Sequence, residues 1–247
     1  MEYKTALVTG ASTGLGKGLA AWLAARGVKV YAAARRAELL EALREETQGN
    51  VEPLVLDVSN SDETVTTLRK LDEECGGLDL VVANAGVGGD TTGRHIDWPT
   101  VERIIDVNVR GAAATLCAAL PGMVARKRGH LVGVSSLAAF RGLPRSAAYC
   151  ASKAFLATFL ESIRLDVKKV GIKVTAIYPG FVKTDLTAKV KHPMPFLMDC
   201  ADAVALMGEA IERQDSELAF PWQLAMAART LKVVPQGLYG TLARRFL

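Results

Sequence analysis

Thr5-Ala6-Leu7-Val8-Thr9-Gly10-Ala11-Ser12-Thr13-Gly14-Leu15-Gly16 begins with five residues of strand character and ends on a glycine-rich turn that runs straight into a periodic apolar stretch. Glycines at such a turn let the backbone bend tightly and approach a pyrophosphate. The helix that follows offers free N–H groups and the positive end of its dipole. Three residues separate Gly10 from Gly14 and one separates Gly14 from Gly16, so the spacing is not G-x-G-x-x-G. Taken alone, the same glycines also suit a tight strand-to-helix turn with no ligand.

On either side of this turn, short β-branched runs alternate with longer helical stretches: Ala6 to Thr9, Val28 to Ala33, Val51 to Val58, Leu78 to Ala83, His130 to Ser135 and Ile172 to Tyr178. Alternation of this kind predicts βαβ units, and so an α/β fold with a doubly wound, mostly parallel sheet between two helical layers. Leu15, Leu19, Trp22 and Leu23 before Gly27, and Leu39, Leu40 and Leu43 further on, are the candidate core faces of two helices. The uncharged run Gly111 to Ala125 is interrupted by Pro121-Gly122 and is shorter than the roughly 20 apolar residues that span a bilayer. It is expected to be a buried helix. No linker or repeat divides the chain, so residues 1–247 are expected to form a single domain.

Half of the 247 residues are hydrophobic and the net charge is +4, spread without a basic arm, so a nucleic-acid partner is not indicated. Cys75, Cys117, Cys150 and Cys200 are far apart and read as reduced thiols in a cytoplasmic protein. Met1 to Lys4 leave no room for a secretory leader before the first strand. His95, His130 and His192 stand singly, and no metal site is expected.

The second strand runs into Ala34-Arg35-Arg36, where a dinucleotide fold meets the adenosine ribose. An acid there would bind the 2′-hydroxyl. Arginine instead accommodates a 2′-phosphate, so NADP is expected over NAD, with Arg35 the main determinant and Arg36 secondary. Solvated arginines at a helix start are the plainer alternative. Ser12 and Thr13 are candidates to hydrogen-bond phosphate. Further on, Tyr149 and Lys153 are four residues apart at the head of a helical segment, on one face. A cation near a phenol draws its pKa from about 10 toward working pH, and such a phenol can trade protons with an alcohol or alkoxide. As a pair alone they would also pass for an ordinary surface contact. Ser135 and Ser136 end the preceding strand, where a parallel sheet presents side chains to ligands.

These motifs, in this order from Thr5 to about Phe220, make the chain resemble the short-chain dehydrogenase/reductase family. The resemblance implies a Rossmann fold and a nicotinamide-dependent enzyme that interconverts a carbonyl and an alcohol. The family's T-G-x-x-x-G-x-G is matched by Thr9 to Gly16, with Leu15 inside it, and its adenine-binding acid by Asp57, followed by Val58. Its N-A-G is matched by Asn84-Ala85-Gly86, its catalytic asparagine by Asn108, its Y-x-x-x-K by Tyr149 and Lys153, and its P-G by Pro179-Gly180. Val182 and Thr184 fall where the family contacts nicotinamide. Ser136 has the family's separation of thirteen from the tyrosine, which favours it over Ser135. Two departures, Ala83 for a frequent asparagine and no basic residue within the glycine turn, touch cofactor details only.

By the resemblance, Ser136 orients the substrate oxygen, Tyr149 exchanges the proton, and Lys153 lowers the Tyr149 pKa while holding ribose hydroxyls. Asn108 holds a water that resupplies the proton. A homodimer or homotetramer is implied as well. An NAD-dependent dehydrogenase working oxidatively and a nucleotide sensor without catalysis are the alternatives. Leu137, Ala138, Phe140, Leu143, Pro144, Phe181, Met194, Phe196 and Leu197 suggest an apolar substrate, qualified by Arg94, Arg141 and Arg145 nearby. A lid is expected over about 183–213, and an amphipathic C-terminal extension over about 220–247, packed on its own domain or a partner subunit. Peripheral membrane contact is the alternative for that extension.

Overall fold

The computed structural model describes residues 3–188 and 193–243. His192 in the expected lid, and Arg244, Arg245 and Phe246 of the C-terminal extension, lie outside the described residues. Seven strands form one sheet in the order β3-β2-β1-β4-β5-β6-β7, every neighbouring pair parallel. They are β1 (Thr5–Thr9), β2 (Lys29–Ala34), β3 (Val51–Val55), β4 (Leu80–Ala83), β5 (Gly129–Val134), β6 (Ile172–Pro179) and β7 (Glu217–Phe220). The last was not foreseen, because its four residues follow a helix closely and carry no long apolar run.

Successive strand residues point to opposite faces, and both faces are covered. Ala6 and Val8 of β1, Leu80 and Val82 of β4, and Val132 and Val134 of β5 pack with Leu19, Leu23, Leu40, Leu43, Met207 and Ile211. These helical residues come from α1 (Gly14–Ala24), α2 (Ala37–Glu46) and α7 (Cys200–Glu212). Leu7, Val81, Ala83 and Leu131 face the other way, onto Leu68, Leu116, Met123, Leu156 and Leu160. Those belong to α3 (Ser61–Glu74), α5 (Ala112–Arg126) and α6 (Ala147–Val167). The continuous hydrophobicity of the strands is thus the mark of a sheet buried on both sides.

One expectation needs correction, and one helix runs further than its apolar stretch. Residues 183–213 are not all lid: Ala203, Met207 and Ile211 of α7 are core, and only the stretch before Cys200 leaves the sheet. Pro121 does not break its helix, which runs on to Arg126. An interior proline costs about 3 kcal/mol, but Leu116, Ala118, Ala119 and Met123 are buried on both sides of it and hold the helix through. This helix also continues backward, through a π-type turn at Asp106–Gly111, into α4 (Trp98–Ile105). The joined run Trp98–Arg126 is long and apolar enough to cross a membrane by length and composition, and 56% of its apolar window is buried inside the protein, as in a core helix.

The strand order reverses between β1 and β4, which opens a crevice at the carboxyl ends of those strands. The quoted glycine turn and the segment after Ala83 border it.

Candidate active site

The end of β1 is stitched to the end of β4. Thr9 Oγ1 accepts from the backbone N–H groups of Asn84 (3.1 Å) and Ala85 (3.2 Å), and Asn84 Nδ2 donates to the Thr9 carbonyl at 2.8 Å. Gly10 has φ +68°, and a Cβ there would lie 2.7 Å from the Ala85 Cα. A Cβ on Gly16 would meet the Gly10 carbonyl oxygen at 2.3 Å. The turn therefore needs glycine at both positions to let α1 start against the strand. Thr13, the residue before α1, makes no side-chain capping bond, so the first-turn N–H groups remain available to an anion. That cradle fits a dinucleotide pyrophosphate.

Arg36 lies beside the same turn, donating to Ser12 Oγ at 2.9 Å and Thr13 Oγ1 at 3.4 Å. Arg35 instead sits 3.7 Å from Asp57. Burial works against ionisation of Asp57, but the Ser59 N–H and hydroxyl together with Arg35 outweigh it and hold the carboxyl below its usual range. Val58, which follows, is buried, and a Cβ on Gly111 would lie 2.6 Å from its carbonyl oxygen.

Asn108 is buried within the π-type turn, a distortion that recurs at functional sites. Its Oδ1 accepts from the Val87 N–H at 2.8 Å, and its Nδ2 donates to the Val87 carbonyl at 2.9 Å and to Ser152 Oγ at 3.0 Å. This amide clamps the loop after β4 to α6. Gly86, in that loop, faces the Lys153 ammonium: a Cβ there would be 3.2 Å from Nζ.

The two serines differ in what they touch. Ser135 is buried and its hydroxyl donates to the Lys153 carbonyl at 2.8 Å, anchoring α6. Ser136 caps the short turn Leu137–Ala139, accepting from Ala138 N at 3.1 Å and donating to the Pro179 carbonyl at 3.4 Å, and its hydroxyl draws the Tyr149 phenol pKa down. Lys153 is buried, and its ammonium donates to the Val134 carbonyl at 2.8 Å and lies 5.8 Å from the Tyr149 ring centroid. Burial lowers the Lys153 pKa to about 8. Burial also pushes the Tyr149 phenol up, against the pull of Ser136. In this arrangement desolvation dominates the Tyr149 pKa, and the Lys153 ammonium is turned toward Val134.

Past β6, Gly180 N donates to the Phe220 carbonyl at 2.7 Å, which ties Pro179-Gly180 to β7. Val182 is buried and pairs with Met198. Thr184 leans over the glycine turn, its methyl 3.2 Å from where a Gly14 Cβ would be. Leu186 reaches the loop after β4 at Gly88.

Two of the three arginines near the expected pocket are already engaged. Arg145 forms an ion pair with Asp90, and Arg141 bonds the C-terminal helices. Trp98 is 63% exposed at the start of α4.

One functional group was missed altogether. Ser146, before α6, makes no side-chain capping bond; Thr91 supplies it from another loop, accepting from Ala148 N at 3.1 Å. Thr91 N also donates to the Arg145 carbonyl at 2.9 Å. The only sequence signal is the polar run Asp90-Thr91-Thr92, which does not reveal a partner 57 residues away.

Comparison with known proteins agrees with this geometry. The short chain dehydrogenase family model matches residues 4–195. The chain belongs to the short-chain dehydrogenase family. It is 62% identical over 248 residues to an uncharacterized oxidoreductase of Myxococcus xanthus (strain DK1622), covering 99% of this chain and 98% of the relative. Among solved structures, a short-chain dehydrogenase from Streptomyces avermitilis superimposes with a TM-score of 0.83 at 26% identity, over 99% of this chain and 94% of that one. A short-chain dehydrogenase from Sphingobium yanoikuyae in complex with NADPH does so with a TM-score of 0.81 at 24% identity, over 94% and 96%. Similar structures include complexes with NADP and with NAD. The chain is an oxidoreductase of this family with its nucleotide-binding fold.

Proposed function

We propose that this short-chain dehydrogenase is an NADP(H)-dependent enzyme that interconverts a carbonyl and an alcohol on an uncharged, apolar or bulky small molecule. The observation that carries this reading is the convergence of Ser136 on the Tyr149 phenol, with Lys153 buried one helical turn on, at the crevice bordered by the Gly10–Gly16 turn. Gly10, Gly14, Leu15 and Gly16 would hold the pyrophosphate, and Asp57 and Val58 the adenine. Asn84, Ala85 and Gly86 would border the ribose, while Pro179, Gly180, Val182 and Thr184 would border the nicotinamide. Arg36, with Ser12, Thr13 and Arg35, forms the set that fits a 2′-phosphate. When bound, the reduced nicotinamide supplies the hydride.

The chain's own groups handle the oxygen and the proton. Ser136 donates a hydrogen bond to the substrate oxygen, so charge developing there is met by a donor fixed in advance. Tyr149, whose phenol stays protonated because burial raises its pKa, gives its proton to that oxygen in the reductive direction. Lys153, whose buried ammonium lies one helical turn from the phenol, is read as the group that returns a proton to Tyr149 after transfer and regains one from solvent. Asn108 is read as a positioning residue that fixes the floor between Val87 and α6. With Arg141 and Arg145 engaged elsewhere, Leu143, Phe196 and Leu197 leave an apolar rim, which disfavours an acid.

The test is a panel of hydrophobic ketones and aldehydes followed by NADPH absorbance, with Tyr149→Phe as control. Tyr149→Phe is expected to fold and bind NADPH but to lose about 10²–10⁴-fold in turnover. Substantial residual carbonyl reduction by that variant would refute the assignment. The exposed outer apolar residues Trp98, Val124 and Leu165 suit the expected homo-oligomer, which sedimentation velocity checks.

A further inference from the structure

The C-terminal helices α8 (Trp222–Val233) and α9 (Gln236–Ala243) dock on two places. Arg229 pairs with Glu217 on β7 at 3.0 Å. The other contacts converge on Phe140, Arg141 and Gly142, which follow the Ser136 turn. Arg141 donates to the Lys232 carbonyl at 3.1 Å and to Gln236 Oε1 at 2.8 Å, and its guanidinium lies over the Tyr239 ring, 4.4 Å from the centroid. The Tyr239 hydroxyl, on a buried side chain, donates to the Gly142 carbonyl. Phe140 is held between Lys232, 6.0 Å above its ring, and the Tyr178 ring at 5.1 Å. Beneath this, Cys150, next to Tyr149, is buried and its sulfur accepts from Leu143 N at 3.4 Å.

We infer that α8 and α9 form a strap that holds the Ser136-to-Tyr149 loop in its working conformation, with Arg141 and Tyr239 as positioning residues. The loop has one short helical turn of its own and no strand, so its shape depends on what grips it from outside. Thr91 and Asp90 grip the end near Tyr149, and the strap grips the end near Ser136. Misplacement of a reacting group by about 1 Å can cost 10²-fold in rate. The catalytic part of this inference rests on the proposed reductase reading, whereas the mechanical part does not.

The test uses full-length enzyme and two variants, Arg141→Ala with Tyr239→Phe together, and Arg141→Lys, which keeps the charge but loses the planar fork. Iodoacetamide labelling is followed by mass spectrometry, with exposed Cys117 as the internal reference. The double variant is expected to label at Cys150 about tenfold faster or more, as local opening exposes it, and Arg141→Lys is expected to fall between. NADPH affinity, read by fluorescence, stays unchanged, since the glycine turn is untouched. On the best ketone of the panel, kcat falls about tenfold or more while KM moves less, the mark of a misplaced catalytic group. Unchanged protection of Cys150 overturns the strap. Faster labelling with unchanged kcat overturns the positioning role. If wild type turns over no ketone, the reductase reading fails, and the strap stands or falls on labelling alone.

Discussion

Arg35 and Arg36 are adjacent in sequence but differently employed. Arg36 contacts two hydroxyls of the glycine turn, while the Arg35 head is set against Asp57. The order of importance expected from sequence, Arg35 before Arg36, is therefore reversed in our proposal. Losing a charge-assisted bond to phosphate is worth about 1.5–3 kcal/mol, so Arg36→Ala is expected to raise the NADPH Kd by about 10–100-fold and leave NADH nearly unaffected. Arg35→Ala should have the smaller effect. Fluorescence titration of both variants with both nucleotides decides it, and equal losses for NADH and NADPH would mean that neither arginine reads the phosphate.

At the scale of elements, α6 carries both Tyr149 and Lys153 yet borrows its N-terminal cap from the loop after β4. Thr91→Val keeps the shape and removes the acceptor. Caps of this type contribute about 1 kcal/mol, so a Tm decrease of roughly 2–4 °C is expected. Turnover should fall by more than this loss of stability explains, because the helix start also places Tyr149. Calorimetry and steady-state kinetics on the same preparation test both parts; a lowered Tm with wild-type kcat would confine Thr91 to stability. The sequence made α6 and the neighbouring strands legible through periodicity, but not this cap. A hydrogen bond between distant loops leaves no periodic trace.

For the whole molecule, the end of the sheet opposite the site is tied together by His130, near the start of the interior strand β5. Its Nδ1 is 2.6 Å from the Tyr3 hydroxyl and its Nε2 is 2.8 Å from Thr175 Oγ1, which in turn bonds the Asp215 carbonyl. Burial, with a smaller contribution from Lys173, pushes the His130 pKa from 6.5 down to about 3. The unfolded chain therefore binds a proton that the folded one refuses, and stability falls as pH drops from about 6.5 toward 3. Urea midpoints should decline over that window, and His130→Gln should flatten the decline while lowering stability at pH 7. An unchanged slope in the variant would mean that other groups set the acid limit.

Strand alternation, glycine spacing and the tyrosine–lysine interval are local patterns, and local physics suffices to read them: backbone period, turn conformation and helical facing. They determined the parallel sheet, the three layers and most of the candidate site from Gly10 to Lys153. Only the tertiary structure decided that α7 is core and not lid, that Pro121 sits inside a continuous helix, and that β7 completes the sheet. It also decided that Arg36 faces the glycine turn, that the Lys153 ammonium turns to Val134, and that Asp90, Thr91, Arg141 and Tyr239 grip the loop between Ser136 and Tyr149. Each of these depends on burial or on a bond between residues far apart in sequence, quantities that exist only once the chain has closed on itself.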